Sequence, residues 1–512
     1  MNSIASNVGL SGASKRLGGA PHALIIGSGF GGLAAAIRLA ARGYRVTVVE
    51  KLDAPGGRAY VFHQDGHTFD AGPTIITAPF LLEELWQLCG KRLEDDVDLK
   101  MMSPYFRIRF NDGEVFDYSG DADQMRAQVA ALAPGDVEGY EEFLRKGERA
   151  YKLGYLDLGQ IPFNNVTDLI KAVPNMLRMQ GLRSLHSLVA SHVKDPRIRT
   201  ILSFHPLFVG GNPYSVTAVY ALISHLEQKH GVFSVVGGTG ALVKAMVGLM
   251  DEQGSTLRYN AEVEEILVQK GRATGVRLTD GETISADIVV SNADAAWTYR
   301  HLLPAARRRT WTDSKIDRAK YSSGLFVWYF GTSKRYESVP QHSILLGPRY
   351  RGLLDDIFKH QRLADDFSLY LHRPTELDPS LAPDGCDTFY ALVPVPNLES
   401  GTDWKENAEA LREKIVSRLE ETSLPGLSRC LTTSRIMTPA DFESRLLAYR
   451  GAGFGFEPTL TQSAWFRPHN KSEDVEGLFL VGAGTHPGAG VPSVLTSAKV
   501  MDAVVPPAEV FL

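Results

Sequence analysis

A glycine-rich turn at residues 27–32, reading Gly-Ser-Gly-Phe-Gly-Gly, constrains the fold of this chain more than any other feature. It follows the apolar run Ala23 to Ile26, which indicates a buried strand, and leads into the helix-forming stretch Leu33 to Ala40. Val46 to Val49 predicts a second strand, which ends at Glu50. Strand, tight turn, helix, strand and an acid about 20 residues on are the context of a dinucleotide fingerprint. The sequence therefore predicts a parallel βαβ unit of the Rossmann type.

The residues of this turn have separate predicted roles. Gly27 makes the tight turn, Gly29 lets a pyrophosphate approach the helix N-terminus, and Gly32 lets the helix pack on the strand. Glu50 is predicted to accept hydrogen bonds from ribose hydroxyls. A surface turn followed by an acid by chance is the alternative, and the complete strand–helix–strand context disfavours it.

A second glycine-rich loop lies within residues 477–500, near the C-terminus. The apolar run Leu478 to Val481 is long enough for one buried strand, and a stretch compatible with a helix follows the loop. Four glycines fall within the nine residues 482–490, and glycine lets the backbone approach a flat or anionic group closely. Because the loop lies over four hundred residues beyond the first turn, a fold that joins the two would enclose a large, two-ended cofactor.

The segment Gly56-Gly57-Arg58 helps to distinguish a flavin dinucleotide from a nicotinamide one. Arginine supplies several fixed donors to phosphate or carbonyl oxygens, so the segment suits a further approach to a diphosphate or a flavin. Together with the C-terminal loop, it favours FAD. No second strand-associated fingerprint is visible, so a separate NADPH domain is not expected. The glycine-rich residues 451–455 lack a preceding strand and are predicted to form a loop.

Length and composition limit the class of protein. The 512 residues suffice for two or three domains, and 44% hydrophobic and 22% charged content are those of a globular protein. A net charge of −5 argues against nucleic acid as the main partner. Cys89, Cys386 and Cys430 are too far apart for a disulfide framework or a metal site, so we expect no metal and a cytoplasmic location.

Targeting and membrane-spanning segments are not expected from the sequence. Residues 1–20, rich in Ser, Gly, Ala and Asn, are predicted to form a flexible leader and not a secretion signal. No apolar run approaches the roughly 18 residues of a membrane span, so we do not expect the chain to cross a bilayer.

The predicted FAD-binding domain is discontinuous and consists of residues 21–98, 237–298 and 458–505. Two insertions, residues 99–236 and 299–457, form the predicted substrate-binding domain. Strand-like runs in the second insertion predict an antiparallel sheet over a substrate cavity. The predicted fold class is therefore α/β, with a Rossmann-type domain assembled from separate segments.

The helical part of the first insertion, about residues 136–235, contains a basic segment from Leu169 to Lys194 that carries no acid. Its apolar residues fall at helical spacing, and Pro174 and Gly181 are predicted to divide it into short helices. A basic amphipathic helix can lie in a membrane interface. A helix with one core face and one solvated basic face is an equally good interpretation, so both stay open.

Longer strings of sequence carry a resemblance to a known family. The strings are residues 56–60, 69–74, 209–213, 237–242, 460–468 and 477–500. On these strings the chain resembles the bacterial and fungal type of phytoene desaturase, and the proteobacterial members in particular. The resemblance covers nearly the whole chain after the leader and implies a fold similar to the amine oxidase and GDP-dissociation-inhibitor superfamily.

The resemblance further implies non-covalently bound FAD and a C40 polyene hydrocarbon, phytoene, as substrate. Double bonds would be introduced stepwise to give neurosporene or lycopene, with quinone or oxygen as the electron acceptor. Because such substrates partition into lipid, the resemblance implies peripheral attachment to the cytoplasmic membrane. This favours a membrane-facing role for the basic helical part.

Sequence and resemblance together define candidate site residues. The predicted cofactor-binding residues are Gly27, Gly29, Gly32, Glu50, Lys51, Gly57, Arg58, Pro73, Thr74, Val263, Asn292, Gly482, Gly484, Thr485, His486 and Val491. Asp168 and Lys171 match a position where family members have been considered to supply an acid and a base, and a plain i,i+3 surface pair is the alternative. The alternative functions are a carotenoid isomerase or other flavin oxidoreductase with an apolar substrate, and a non-catalytic lipid-escort protein.

Overall fold

A computed structural model describes residues 19–511, so the predicted leader lies, apart from its last two residues, outside the described residues. The strands of the described part are, in chain order, β1 (His22–Ile26), β2 (Arg45–Val49), β3 (Val61–Gln64), β4 (His67–Asp70), β5 (Ile76–Thr77), β6 (Leu99–Met101), β7 (Phe106–Arg109), β8 (Val115–Tyr118), β9 (Val232–Val235), β10 (Thr256–Arg258), β11 (Val263–Gln269), β12 (Arg272–Leu278), β13 (Thr283–Ser285), β14 (Ile288–Ser291), β15 (Gly324–Thr332), β16 (His342–Leu345), β17 (Leu369–His372), β18 (Asp387–Val395), β19 (Leu431–Met437) and β20 (Leu478–Leu480). The α-helices are α1 (Phe30–Ala41), α2 (Phe80–Leu88), α3 (Ala122–Leu132), α4 (Val137–Ala150), α5 (Val166–Arg178), α6 (Leu185–Ala190), α7 (Pro196–Ser203), α8 (Leu222–His230), α9 (Gly238–Glu252), α10 (Ala295–Trp297), α11 (Asp313–Arg318), α12 (Tyr350–Asp355), α13 (Trp404–Thr422), α14 (Pro439–Leu446) and α15 (Val491–Asp502).

The predicted strand–turn–helix–strand unit is the centre of a parallel five-stranded sheet with the order β10-β2-β1-β14-β20. Every residue of β1 is buried, as its unbroken apolar run predicts. The alanine-rich helix α1 packs against α9 and α15 on one face of this sheet. The three-stranded sheet β11-β12-β13 follows β10, and α10 comes directly after β14. The N-terminal and C-terminal glycine-rich segments thus meet at one edge.

A seven-stranded sheet with the order β19-β15-β18-β17-β16-β7-β8 forms the second layer. Its neighbours are antiparallel except for β7 and β16, which are parallel. The strands of the second insertion, β15 to β19, are thus antiparallel to one another, as predicted, and the parallel pair arises where β7 of the first insertion joins them. All nine residues of β15 are buried because both faces of the strand are covered. Phe326, Trp328 and Phe330 belong to the core cluster that includes residues of α13, whereas Val327 and Tyr329 belong to the cluster on the opposite face.

Helix α5 belongs to the helical part of the first insertion, and its course corrects one prediction. Pro174 does not divide the segment, because α5 continues through it from Val166 to Arg178. Proline removes one backbone hydrogen bond, and the remaining turns of the helix stay intact on either side. Gly181 does lie between α5 and α6. Within residues 19–511, none of the helices has the length and hydropathy needed to cross a bilayer.

Candidate active site

One cavity extends from the carboxyl edge of the parallel sheet to the seven-stranded sheet. Its volume is about 850 Å³, near the upper end of the roughly 300–1,000 Å³ of ligand pockets. Residues that directly follow β1, β2, β14 and β20 line one end, and side chains of β15, β17 and β18 line the other. The carboxyl edge of a parallel sheet is where α/β folds bind ligands.

The first glycine turn is closed by backbone contacts that leave no room for side chains. Gly27 has a φ of +89°, which favours glycine, and its N–H donates to the Val49 carbonyl at 2.8 Å. A Cβ at Gly32 would collide with the carbonyl oxygen of Gly27. Asn292 follows β14 and donates through Nδ2 to the same oxygen at 3.4 Å. These contacts explain the need for glycine at both positions.

Three glycine segments pack backbone to backbone at this end of the cavity. Gly29 forms a parallel bridge with Gly56, and a Cβ at Gly57 would lie 3.5 Å from the Cα of Gly29. A Cβ at Gly31 would lie 3.0 Å from the Cα of Gly482 in the C-terminal loop. The first N–H groups of a helix have no partner within the helix, so the N-terminus of α1 offers donors to an anion here.

Glu50 is held rigidly beside this helix terminus. Its Oε2 accepts hydrogen bonds from the N–H and the hydroxyl of Ser28 at 2.8 and 2.7 Å, and its Oε1 accepts one from the Leu52 N–H at 2.9 Å. The carboxylate lines the cavity although it is buried. Lys51 and Val263 line the same end.

Arg58 brings a positive charge to the cavity wall. Its guanidinium is buried, and among the described residues its Nε has no hydrogen-bond partner. Burial raises the pKa of the Asp294 carboxyl, while the positive charge of Arg58 opposes that rise. Because an unpartnered buried donor costs free energy, the guanidinium is suited to an acceptor on a bound molecule.

The C-terminal loop contributes unequally to the cavity. Gly482, His486 and Val491 line it, whereas Gly484 and Thr485 do not. A Cβ at Gly484 would lie 2.7 Å from the Cβ of Ala295, and Thr485 donates to the Pro468 carbonyl at 2.6 Å. Both residues pack against the protein and not against the cavity, so their direct contact with a cofactor stays a prediction. Burial and the charge of Arg467 lower the pKa of His486 to about 3, so its ring is neutral.

Arg467, which the sequence did not single out, supports the C-terminal loop. It is fully buried and donates through Nη2 to the carbonyls of Phe456 and Ala483, at 2.9 and 3.3 Å. A Cβ at Gly488 would lie 3.2 Å from its Nη1. The side chain thus stabilises the C-terminal loop through its hydrogen bond to Ala483 and its proximity to Gly488. Its only signal in the sequence was its place in the string 460–468.

Thr74 lies where the polar end of the cavity meets the apolar end. Its hydroxyl is 3.0 Å from the Tyr370 hydroxyl and 3.2 Å from the Tyr390 hydroxyl. The Tyr370 hydroxyl is also 2.6 Å from Nδ1 of the buried His342. All three hydroxyl-bearing side chains line the cavity, and their mutual hydrogen bonds lower the cost of burying them.

Asp70, another residue missed at the sequence level, anchors the segment that carries Pro73. Its carboxylate accepts the N–H groups of Thr239 and Gly240 at 2.9 and 3.1 Å, at the start of α9. The Thr239 hydroxyl donates to the Pro73 carbonyl at 2.5 Å. Burial raises the pKa of Asp70 to about 6. The helix N-terminus stabilises the ionised carboxylate against that burial.

Asp168 and Lys171 lie outside the cavity lining, unlike their neighbours Leu169 and Ala172. The Asp168 carboxylate accepts hydrogen bonds from the N–H groups of Asn165 and Asn164 at 3.0 and 3.2 Å, and so caps the start of α5. Lys171 is exposed. Neither side chain belongs to the cavity lining, and their role as acid and base stays a prediction.

The cavity end around residues 27–58 fits a dinucleotide. The open helix terminus suits a pyrophosphate, the Glu50 carboxylate suits ribose hydroxyls, and the unpartnered Nε of Arg58 suits a further acceptor. The C-terminal loop closes the same space from the opposite side. Together these features match a long molecule that bears a diphosphate in its middle.

Comparison with known proteins agrees with this geometry. The family described as "Flavin containing amine oxidoreductase" matches residues 30–500. The chain belongs to this family. It is thus a flavin-dependent oxidoreductase, and FAD is the dinucleotide that its site takes.

Curated relatives match over nearly their whole length. A "Phytoene desaturase (neurosporene-forming)" of Cereibacter sphaeroides is 51% identical over 494 residues, which cover 96% of this chain and 95% of the relative. A "Phytoene desaturase (lycopene-forming)" of Pseudescherichia vulneris is 48% identical over 480 residues, which cover 93% of this chain and 97% of the relative. Among solved structures, a putrescine oxidase bound to putrescine has a TM-score of 0.63 at 16% identity and covers 94% of this chain and 97% of its own. That last likeness concerns the fold.

Proposed function

We propose that this protein is an FAD-dependent phytoene desaturase, which introduces successive double bonds into 15-cis-phytoene to give neurosporene, lycopene or both. Relatives with 51% and 48% identity carry that name. The observation in the structure that supports the proposal is the cavity of about 850 Å³, whose dinucleotide end continues into an apolar end without a break. A hydrocarbon has no polar group to recognise, so an apolar wall beside the cofactor is what its binding requires.

FAD would be held by the predicted residues that line the cavity. These are Gly27, Gly29, Glu50, Lys51, Gly57, Arg58, Pro73, Thr74, Val263, Asn292, Gly482, His486 and Val491. When bound, FAD supplies the acceptor for a hydride from the substrate. The chain itself positions the hydrocarbon and excludes water, through Leu325, Val327 and Leu392 of the seven-stranded sheet among others.

We further propose that the apolar end opens onto a membrane surface, with residues 136–235 as the helical, membrane-facing part. Val166, Ile170, Val173 and Leu177 form one exposed stripe along α5, and Ile170 is 64% exposed. Leu182, which is 71% exposed, also lines the cavity, as do Val173 and Leu177. Residues that are exposed to solvent and also line the cavity mark the place where the cavity opens to the surface. Lys171, Arg178 and Arg183 beside the stripe suit anionic lipid headgroups.

This arrangement supports peripheral attachment to the cytoplasmic membrane, from which phytoene would enter the cavity directly. The domain division into residues 21–98, 237–298 and 458–505 for FAD, and 99–236 and 299–457 for substrate, is part of the same proposal. Quinone or oxygen would reoxidise the flavin.

The test is incubation of the protein with FAD and phytoene in liposomes, aerobically and anaerobically with added quinone, followed by chromatography of the products. Coloured desaturated products are expected under at least one condition. Phytoene that stays unchanged under both would refute the proposal. Phytoene that changes only in double-bond geometry would indicate an isomerase instead.

A further inference from the structure

A buried pair of ionisable side chains, Glu227 and His205, lies in the wall of the apolar end. Glu227 belongs to α8, and His205 begins a 3-10 turn that ends at Val209. The His205 Nε2 is 3.0 Å from the Glu227 Oε2, and the two side chains are 1% and 3% exposed. Both residues line the cavity. Burial of ionisable groups is costly in apolar surroundings unless they are paired, so this pair needs an explanation.

The other carboxylates of the described lining have identified partners. Glu50 is occupied by backbone N–H groups, Asp294 caps the N–H of Trp297 and faces Arg58, and Glu262 pairs with Lys51. Those three lie at the dinucleotide end or against a basic side chain. Glu227 differs from them, because its Oε1 makes no hydrogen bond within residues 19–511 and its Oε2 is bonded to a histidine.

The surroundings of the pair fix its orientation. The His205 ring stacks on Phe204 at a centroid distance of 4.2 Å, and the ring of Tyr118 meets its edge at 5.2 Å. Burial, and after it the negative charge of Glu227, raises the pKa of the Tyr118 phenol. The phenol therefore stays neutral and does not compete with Glu227 as a proton acceptor. The carboxylate is held by one imidazole, whose ring packs against Phe204 and Tyr118, and Glu227 also lines the cavity.

The two elements that carry the pair also contact elements that bound the cofactor end. A Cβ at Gly490 of the C-terminal loop would lie 3.0 Å from the Cγ1 of Val209, at the end of the turn that His205 begins. Helix α8 packs against β5, whose Thr77 lines the cavity three residues after Thr74. A hydrocarbon that passes Thr74 toward α8 would therefore pass the carboxylate.

We propose that Glu227 is the proton acceptor of the desaturation and that His205 is the residue that positions it. This assignment rests on the proposed function. Each new double bond requires loss of a hydride, which flavin takes up, and of a proton from the adjacent carbon. As that second C–H bond breaks, its electron pair becomes the π bond and its proton passes to the free Oε1 of Glu227.

The variant Glu227→Gln tests the assignment, because it keeps the shape and an acceptor for His205 but cannot take up a proton. FAD content and binding of phytoene from liposomes should match wild type, while turnover should fall by roughly 100-fold or more. Glu227→Asp, which keeps a carboxylate, should have a turnover at least about tenfold higher than that of Glu227→Gln. The matched control is Asp387→Asn, in the buried ion pair of Asp387 Oδ2 with Arg373 Nε at 2.9 Å, outside the cavity lining. It should lower stability and leave turnover per bound flavin unchanged.

A spectroscopic readout uses FAD-loaded protein with glutamate labelled with ¹³C at the side-chain carboxyl, mixed with phytoene anaerobically and without an electron acceptor. The infrared difference spectrum should gain a carboxylic-acid band in wild type that is absent from Glu227→Gln, and the same band in both would overturn the assignment. If the wild-type protein is active, a Glu227→Gln variant with equal turnover would also overturn the assignment. A Glu227→Asp variant with no higher turnover than Glu227→Gln would overturn it as well. Wild-type protein that left phytoene unchanged would instead refute the proposed function itself, and the assignment with it.

Discussion

The two ends of the cavity bind their contents through different parts of the chain. At the dinucleotide end, the backbone of three glycine segments forms the surface, and few side chains are involved, such as Glu50, which is buried and held by hydrogen bonds, and Arg58. At the apolar end, side chains form the surface, and several of them, including Leu177 and Leu182, are exposed. A backbone surface tolerates no added atom, whereas an apolar side-chain surface tolerates changes of shape. Substitutions at the two ends should therefore differ in both size and kind of effect.

The largest effect should come from adding a side chain at the dinucleotide end. Gly29→Val would place a Cβ 3.0 Å from the Asn292 Nδ2, with branches toward the open terminus of α1. Loss of two or more hydrogen bonds to a charged diphosphate should weaken FAD binding by about 100-fold or more. The measurement is flavin absorbance per protein after gel filtration. Gly248→Ala is the control, because a Cβ there meets nothing within 4 Å. Wild-type flavin content in Gly29→Val would remove this turn from the site.

A second prediction separates charge from shape at the same end. Arg58→Met should remove the stronger of the two positive charges that oppose the raised pKa of the buried Asp294, the other being that of Arg467, and should lower the free energy of unfolding by about 1 kcal/mol. Adding Asp294→Asn should restore most of that stability, because the carboxylate charge is gone. FAD binding should stay weak in both variants if the guanidinium binds the cofactor. Denaturant unfolding and flavin titration give the two quantities, and a double variant with wild-type flavin affinity would contradict the role of Arg58.

At the apolar end, a charge on the exposed stripe should affect lipid binding and spare flavin binding. Ile170→Glu changes a residue that does not line the cavity. Partition into anionic liposomes should fall by roughly tenfold, since an apolar anchor is replaced by a carboxylate. Val115→Glu is the control, because Val115 is also exposed, at 42%, and lies on β8 outside the stripe. Equal partition of the two variants would contradict the membrane-facing assignment, and FAD content should be normal in both.

The two ends also differ in how far the sequence predicts them. The strand, turn, helix and acid of residues 23–50 were predictable because their signals are local: apolar runs, glycine spacing and one acid at a set distance. The meeting of this turn with the C-terminal loop was inferred from the shared need for close backbone approach. Arg467 could not be placed by such reasoning, because its partners Phe456 and Ala483 are backbone carbonyls, which carry no side-chain signal.

At the apolar end the local signals were ambiguous. Asp168 and Lys171 have the spacing of a helical ion pair, yet Asp168 is the third residue after the N-cap Asn165 and caps the helix. Pro174 predicts the end of a helix, but helix α5 continues through it. Glu227 and His205 are joined only by tertiary packing, and their separation in the chain has no helical or strand period. Recognition of an apolar substrate needs no motif, so this end leaves little trace in the sequence.

The smallest predicted effect concerns the boundary between the two ends, where His342 supports Tyr370 and Thr74. Burial lowers the pKa of His342 to about 3, and the charged or titratable groups nearest its ring are Tyr370 and His372. The folded state therefore keeps the ring neutral, while the unfolded chain binds a proton below about pH 6.5. Because the unfolded state binds more protons between these two values, stability falls as the pH is lowered through that window. His342→Gln should reduce the loss of unfolding free energy between about pH 7.5 and pH 6 by roughly 1 kcal/mol. Denaturant titrations of wild type and His342→Gln at the two pH values measure this difference. Equal losses of unfolding free energy in the two proteins would show that the ring can take up a proton without unfolding. The boundary between the two ends would then be less tightly closed than the burial of His342 indicates.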